Sequence, residues 1–250
     1  MINTNHGGTV VHKIAIFPLG MINAFLLINS QGCILIDTGL PNTERKIEKA
    51  LKKFNLTFTD IKLIVITHAH IDHAGNAAKI KSLSGAQVIA HNGDLPYYRG
   101  EKKMHFCSTG WFGWVFSKTG AIQKPYTELE PDILLTSKDK FNLNRYGIDG
   151  EVISTPGHTE GSISVIIDKN KAVVGDLISS GILLGGIVRT NKAKRPPFEE
   201  NPLQVSQELQ SIANKGVKTF FMGHGGPLPQ KEVLRHTDKL KHLVTKPLDS

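Results

Sequence analysis

The sequence contains no long apolar run. No stretch approaches the roughly 20 consecutive apolar residues that cross a bilayer. The apolar segments that follow a polar start are interrupted by Lys13, Pro18, Gly20 and Asn23, which does not match the basic-then-apolar pattern of an export signal. We therefore expect a cytoplasmic protein without a membrane partner.

Cysteine is also scarce, because the 250 residues contain two, Cys33 and Cys107. Cys33 lies within an apolar strand pattern and Cys107 in a loop-like region, and neither has the spacing of a zinc finger. A disulfide between them has no support in this pattern. We expect reduced thiols.

The amino-acid composition is ordinary. Hydrophobic residues make up 40% and charged residues 21%, as in ordinary globular proteins, and 250 residues are compatible with one domain over 1–250. The formal charge of +8 allows weak attraction to anions. Because the lysines are spread along the chain, we interpret most of this charge as solvated surface and do not expect a nucleic-acid partner.

What the sequence does contain is a concentration of metal-binding side chains in T-H-A-H-I-D-H-A-G, residues 67–75. The motif directly follows an apolar run, 63–66, that is typical of a buried strand. Imidazole nitrogens and carboxylate oxygens are the ligands that zinc-like ions prefer. The alternative is a His-rich surface loop that arose by chance among eleven histidines.

The spacing within this motif allows it to serve two ions. A tight loop turns His68 and His70 to one side, whereas Asp72 and His73, at the start of the next helix, face another. We therefore expect a metal centre here.

The surrounding pattern is that of a layered α/β protein. Strands are predicted at 10–17, 24–29, 33–36, 61–66, 87–90, 132–135, 151–154, 163–167, 172–174 and 217–222. Helices are predicted at about 43–54, 74–83, 202–215 and 230–243. Proteins of this kind place their chemistry at the carboxyl ends of strands. The acid of I-D-T-G, Asp37, ends one such strand; it either braces a metal-binding histidine or caps the turn.

Residues 94–131 lack a sustained period but are rich in aromatic residues: Tyr97, Tyr98, Phe106, Trp111, Phe112, Trp114, Phe116 and Tyr126. Long irregular segments are uncommon in compact domains unless they cover a site. We interpret this insertion as a partly helical lid or wall that faces the substrate. The alternatives are a patch that packs the insertion onto the core, or the contact of a homodimer.

Three later motifs add one candidate ligand each. His158 lies in T-P-G-H-T, Asp176 in V-V-G-D and His224 in M-G-H-G, all after predicted strands. Each is a weak signal alone, but in this order after H-x-H-x-D-H they are not independent coincidences. The whole set resembles the metallo-β-lactamase superfamily of hydrolases, and the resemblance extends from the N-terminal strands to His224.

The resemblance implies an αββα sandwich, in which two mixed β-sheets are flanked by helices. It also implies a dinuclear site with zinc, or iron or manganese in its place, and a position for Asp37 behind the ligands. In the family pattern the first ion is held by His68, His70 and His158, the second by Asp72, His73 and His224, and both by Asp176.

The resemblance further implies hydrolysis of a small ester-like molecule, a lactone or thioester, because the chain is most similar to compact lactonase-like and glyoxalase-II-like members. Two ions share a water whose pKa they lower, and Asp72 orients the hydroxide and handles the proton. Ser179 stands where such lactonases often carry tyrosine, which disfavours homoserine lactones. The alternatives are a single-iron oxidoreductase similar to persulfide dioxygenases, and a metallo-nuclease or phosphodiesterase.

Overall fold

The computed structural model describes residues 8–182, 185 and 188–245, so the predicted domain over 1–250 extends beyond the described residues. The strands are β1 (Val10–Phe17), β2 (Ile22–Asn29), β3 (Gly32–Ile36), β4 (Ile61–Val65), β5 (Gln87–His91), β6 (Ile133–Leu135), β7 (Lys140–Asn142), β8 (Gly150–Ser154), β9 (Ile163–Ile167), β10 (Lys171–Val173), β11 (Ser179–Ser180), β12 (Ala193–Lys194), β13 (Thr219–Phe221) and β14 (Leu228–Pro229). The helices are α1 (Glu44–Lys52), α2 (Ile71–Ala74), α3 (Ala77–Ser84), α4 (Leu95–Tyr98), α5 (Trp111–Lys118), α6 (Pro202–Asn214) and α7 (Gln230–Thr245).

Two six-stranded sheets form the centre of the fold. The first has the order β1-β2-β3-β4-β5-β6 and is antiparallel up to β3 and parallel from β3 to β6. The second has the order β14-β13-β10-β9-β8-β7, in which β10 and β13 are parallel and the other neighbours antiparallel. Both sheets are therefore mixed, as the resemblance implied.

The side chains of β2 show how the layers are built. Phe25 and Leu27 point between the two sheets, whereas Leu26 and Ile28 point to the opposite face of the first sheet. Because both faces are covered, the strand is apolar without interruption from Ala24 to Ile28. Residues of the second sheet such as Val165 complete the core between the sheets.

Helices cover the outer face of each sheet. Ile47 of α1 and Ile80 of α3 pack on the first sheet. Leu209 of α6, with Val233 and Leu240 of α7, packs on the second. This arrangement confirms the predicted αββα sandwich. No helix in the described part of the chain is both long and apolar enough to cross a membrane.

The helix predicted at 74–83 is wrong in one respect, because the structure divides it into α2 and α3. Gly75 lies between them, where a Cβ atom would be 2.1 Å from the carbonyl oxygen of Ile71 and 2.6 Å from the Pro41 ring. Only glycine, which has no Cβ atom, fits at this position, and the helix is interrupted between Ala74 and Ala77. The edge strand β7 was not predicted, because it has only three residues, of which the two outer ones are exposed, and so short a segment shows no detectable alternation of apolar and polar residues.

The insertion at 94–131 contains α4 and α5, which agrees with the predicted partial helicity. Its aromatic residues differ in environment. Tyr98 is fully buried in the core of the first sheet, whereas Trp111 is 78% exposed and Trp114 60%.

Candidate metal centre

The loops that follow β4, β8, β10 and β13 meet at one edge of the two sheets. There the structure brings together all seven predicted metal ligands. Their ligand atoms form three groups, each within 4.8 Å: His68, His70 and His158; His68, His73 and Asp176; and Asp72, His73 and His224.

The first group presents three imidazole nitrogens to a common point. His68 Nε2 lies 3.0 Å from His70 Nδ1, and His158 Nε2 lies 3.1 Å and 3.2 Å from the same two atoms. Bonds of about 2.05 Å to a tetrahedral zinc ion would hold nitrogens roughly 3.3 Å apart. The spacing therefore fits a shared cation.

The group of Asp72, His73 and His224, called the second group below, combines a carboxylate with imidazoles, and Asp176 lies next to it. Asp72 Oδ2 lies 3.3 Å from His224 Nε2, and His73 Nε2 lies 3.4 Å from Asp176 Oδ1. The other oxygen of Asp176 is 3.0 Å from His224 Nε2 and 3.9 Å from His158 Nε2. Asp176 thus lies between the two groups, where a bridging ligand is expected.

Among the buried ligand atoms that lack a hydrogen-bond partner in the described residues, two face each other at 3.4 Å: His73 Nε2 and Asp176 Oδ1. An unsatisfied polar atom away from water costs about 1–3 kcal/mol. A cation between these atoms would satisfy both. The donor set therefore fits a metal ion on chemical grounds.

The histidines of the first group are held neutral. Burial, reinforced by neighbouring imidazoles, lowers the pKa of His70 to about 3 and that of His158 to about 4. The pKa of His68 is lowered well below its ordinary value for the same reasons. Neutral imidazoles keep their lone pairs available to a cation.

In the second group, carboxylates stabilise positive charge on the neighbouring histidines. Burial acts against it, but Asp176 and Asp72 raise the pKa of His224 to about 10, and Asp176 and Asp37 raise that of His73 well above its ordinary value. Burial would also raise the pKa of Asp72, yet the two histidines lower it. Protons on His73 and His224 thus supply charge that a metal ion would replace.

Asp37 holds His73 in place from behind. Its Oδ2 accepts a hydrogen bond from His73 Nδ1 at 2.8 Å, and its carboxylate also accepts from the backbone N–H and the hydroxyl of Thr67. Asp37 has a φ of 59°, in the left-handed region that aspartate tolerates. These contacts favour the bracing role over the turn cap.

His224 is oriented by the first sheet. Its Nδ1 donates to the carbonyl oxygen of Met21, which leaves Nε2 for a ligand. The preceding residue is Gly223, whose Cβ would lie 2.4 Å from both Asp176 Oδ1 and His73 Cε1. Glycine in M-G-H-G therefore lets the last ligand loop close against the others.

Asp94 is a buried residue of this region that we did not predict. Its carboxylate accepts from the N–H of Ala69, the hydroxyl of Thr159 and the N–H of Gly161. It thus ties the loop of His68 and His70 to the loop of His158. Burial raises its pKa to about 6 despite these bonds. The available signal was an acid three residues after a strand end, in H-N-G-D.

Phenylalanines form the apolar wall of the site. A narrow cavity over the ligands is lined by Phe106, Phe116, Ile122 and Phe198. The ring of Phe198 contacts those of Phe106 and Phe116, and the ring of Phe106 contacts that of His70.

Trp111 and Trp114, in the insertion that we interpret as a lid or wall, are not among the residues that line this cavity. They lie on the solvent side of α5, whereas Phe116 faces the ligands. Ser179 is buried and donates to the carbonyl oxygen of Lys194, so its hydroxyl does not replace the missing tyrosine. His91 accepts from the Gly93 N–H and lies 3.2 Å from the Ser154 hydroxyl, outside the ligand groups.

Comparisons with known proteins agree with this geometry. A family model described as the metallo-beta-lactamase superfamily matches residues 17–224. The chain is 33% identical over 205 residues to the probable metallo-hydrolase MJ0888 of Methanocaldococcus jannaschii, covering 81% of this chain and 87% of the relative. It is 26% identical over 236 residues to the probable metallo-hydrolase YqjP of Bacillus subtilis, covering 87% and 71%.

A solved structure shares the fold. The metallo-beta-lactamase family protein TTHA1429 from Thermus thermophilus is similar with a TM-score of 0.66 and 22% identity. The match covers 95% of this chain and 79% of that protein.

Proposed function

This chain belongs to the metallo-beta-lactamase superfamily, and from that premise we propose that it is a hydrolase with two divalent metal ions that cleaves a small ester-like substrate, a lactone or thioester. The observation that carries the proposal is the convergence of seven ligands in groups that share Asp176. One buried carboxylate between two sets of donors is an economical way to hold two cations close together.

The residues divide into two sets of ligands. His68, His70 and His158 would hold one ion, and Asp72, His73 and His224 the other. Zinc suits nitrogen and carboxylate donors in this number, with iron or manganese as alternatives. Two such ions, when bound, supply an activated water near neutral pH and polarise the carbonyl group under attack.

The protein contributes the proton transfer and the apolar wall. Asp72 is 23% exposed at its side chain and faces the narrow cavity, so its carboxylate can orient the attacking water and pass a proton to the leaving group. Phe106 and Phe116 exclude bulk water from the same cavity. No side-chain nucleophile is required.

Metal analysis combined with a substrate panel tests this proposal. Reconstituted protein should bind two ions per chain and hydrolyse lactones or thioesters faster than β-lactams or phosphodiesters. One tightly bound iron, with oxygen consumption and with Asp72 and His224 dispensable, would contradict it in favour of a persulfide-dioxygenase-like enzyme. Preferred cleavage of phosphodiesters, with steeply salt-dependent nucleic-acid binding, would favour the nuclease. The cytoplasmic location and the homodimer stay predictions.

A further inference from the structure

A second, larger cavity lies beside the metal centre and is formed mainly by the insertion. Its volume is about 470 Å³, enough for part of a small organic molecule. Four residues line both this cavity and the narrow one over the ligands, so the two adjoin: His70, Ile71, Phe106 and Ile122. A substrate whose carbonyl lies at the metal ligands can therefore extend into it.

Part of the wall of this larger cavity is apolar or aromatic. Tyr97, Met104 and Tyr126 contribute to it. The hydroxyl of Tyr126 donates to the carbonyl oxygen of Ala69, between two ligand histidines. This bond fixes the ring of Tyr126 in the wall, where it can pack against an apolar spacer.

The rim of the same cavity is basic. Lys102, Lys103 and Lys124 line it, and none of the three forms an ion pair within the described ranges 8–182, 185 and 188–245. Residues 102–127 include no aspartate or glutamate. Glu128 is the one acid in the lining, and its side chain lies against Gly100.

Apart from Glu128, the acids next in sequence to these lysines lie against an arginine. Glu130 is engaged by Arg99 at 2.7 Å, and Glu101 lies 3.8 Å from the same guanidinium group. The lining therefore carries three lysines against one glutamate and keeps an excess of positive charge. Lysine ammonium groups bind carboxylate and phosphate groups as point charges.

We propose that this cavity binds the end of the substrate remote from the scissile bond, and that this end carries a carboxylate or a phosphate on an apolar spacer. The proposal rests on the hydrolase function for its chemistry but not for the binding itself. The three lysines also orient the substrate. An anionic end held at the rim is kept away from the metal ligands, where it would compete with the carbonyl group.

The test uses matched esters and a matched lysine control. The acetate ester of 3-(4-hydroxyphenyl)propionate is compared with that of 3-(4-hydroxyphenyl)propanamide, which differs by one charge. A third ester carries a phosphonate in place of the carboxylate. The variant is Lys102→Ala/Lys103→Ala/Lys124→Ala, and the control is Lys46→Ala/Lys138→Ala/Lys231→Ala, which removes equal charge from exposed positions elsewhere.

Metal-loaded wild type should prefer the anionic ester by about fivefold to tenfold in kcat/KM, as expected for a few partly exposed ion pairs. The cavity variant should lose this preference through a raised KM for the anionic ester. Its metal content should stay at the wild-type value, and its kcat/KM for the neutral ester should fall much less than that for the anionic ester. The control should keep the preference. A larger preference for the phosphonate would identify a phosphate as the natural group, and an equal preference a carboxylate.

If neither ester is hydrolysed, the hydrolase proposal fails for such esters, and calorimetric binding of the same uncleaved pair still tests the cavity. Tighter binding of the anionic member, lost in the cavity variant alone, would support the subsite. A preference that survives in the cavity variant, or that falls equally in the control, would overturn it.

Discussion

The candidate metal centre and the insertion at 94–131 line the same narrow cavity but are built differently. The candidate ligands lie on loops at strand ends and on the short helix α2. All but Asp72 are buried, and His73 and His224 are each held by a second contact. The insertion has two short helices and exposes large rings such as Trp111. The difference indicates that the sheets position the candidate ligands, whereas the insertion can vary without moving them.

The largest effect should come from the centre. Asp72→Asn keeps the shape but removes the charge and the proton acceptor, so turnover should fall by about 10²–10⁴-fold even when metal is restored. Kinetics and metal content are measured on the same sample. Asp149→Asn, at a 65% exposed carboxylate, serves as the control. Retained turnover at full metal occupancy would reduce Asp72 to a ligand.

A smaller loss is expected at Asp94, where the two regions join. In Asp94→Asn one oxygen becomes an N–H₂ group that faces a backbone donor, so at least one of three hydrogen bonds is lost. Because these bonds position the loops that would hold the first of the two proposed ions, affinity for that ion should fall about 10–100-fold, and turnover with it.

Asp139→Asn is the matched control for Asp94. Asp139 also accepts from a backbone N–H and a hydroxyl, both of Thr136, but on an exposed turn. Competition with a chelator measures the affinity of each ion separately. Equal loss of both ions, or no loss, would show that Asp94 does not position the first group.

The same contrast explains what could be predicted from the sequence. Continuous apolar runs such as 24–28 predicted the strands and the layers. The residues that follow other such runs predicted the candidate ligands, because a strand end places the next side chain at the sheet edge. The direction of a side chain on an irregular segment has no such rule. Phe116 and Trp114 are two residues apart, yet one faces the ligands and the other solvent.

Asp94 escaped prediction for a related reason. An acid after a strand end is usually a solvated turn residue, and its three donors come from loops 25 to 67 residues distant along the chain. Only the packed sheets bring those donors together.

Within the insertion, Phe116→Ala should have a moderate effect. The ring lines the narrow cavity and stacks on Phe112 and Phe198. Loss of about 40 Å² of apolar contact with substrate corresponds to roughly 1 kcal/mol, or about fivefold in KM. Metal content should stay at the wild-type value. An unchanged KM for every ester tested would remove Phe116 from the substrate wall.

The smallest effect should come from Trp111→Ala combined with Trp114→Ala. Trp114 has Lys118 Nζ 5.8 Å from its ring, and Trp111 meets Phe112 edge-on at 6.1 Å, contacts that contribute little at an exposed position. We expect kcat/KM within about twofold of wild type and a stability change of roughly 0.5 kcal/mol or less.

Steady-state kinetics, thermal unfolding and the mass in solution separate the three roles open to these rings. A raised KM at unchanged melting temperature would return them to the substrate wall, and a fall in melting temperature would assign them to packing. A halved mass in solution with unchanged kinetics would make them the contact of a homodimer.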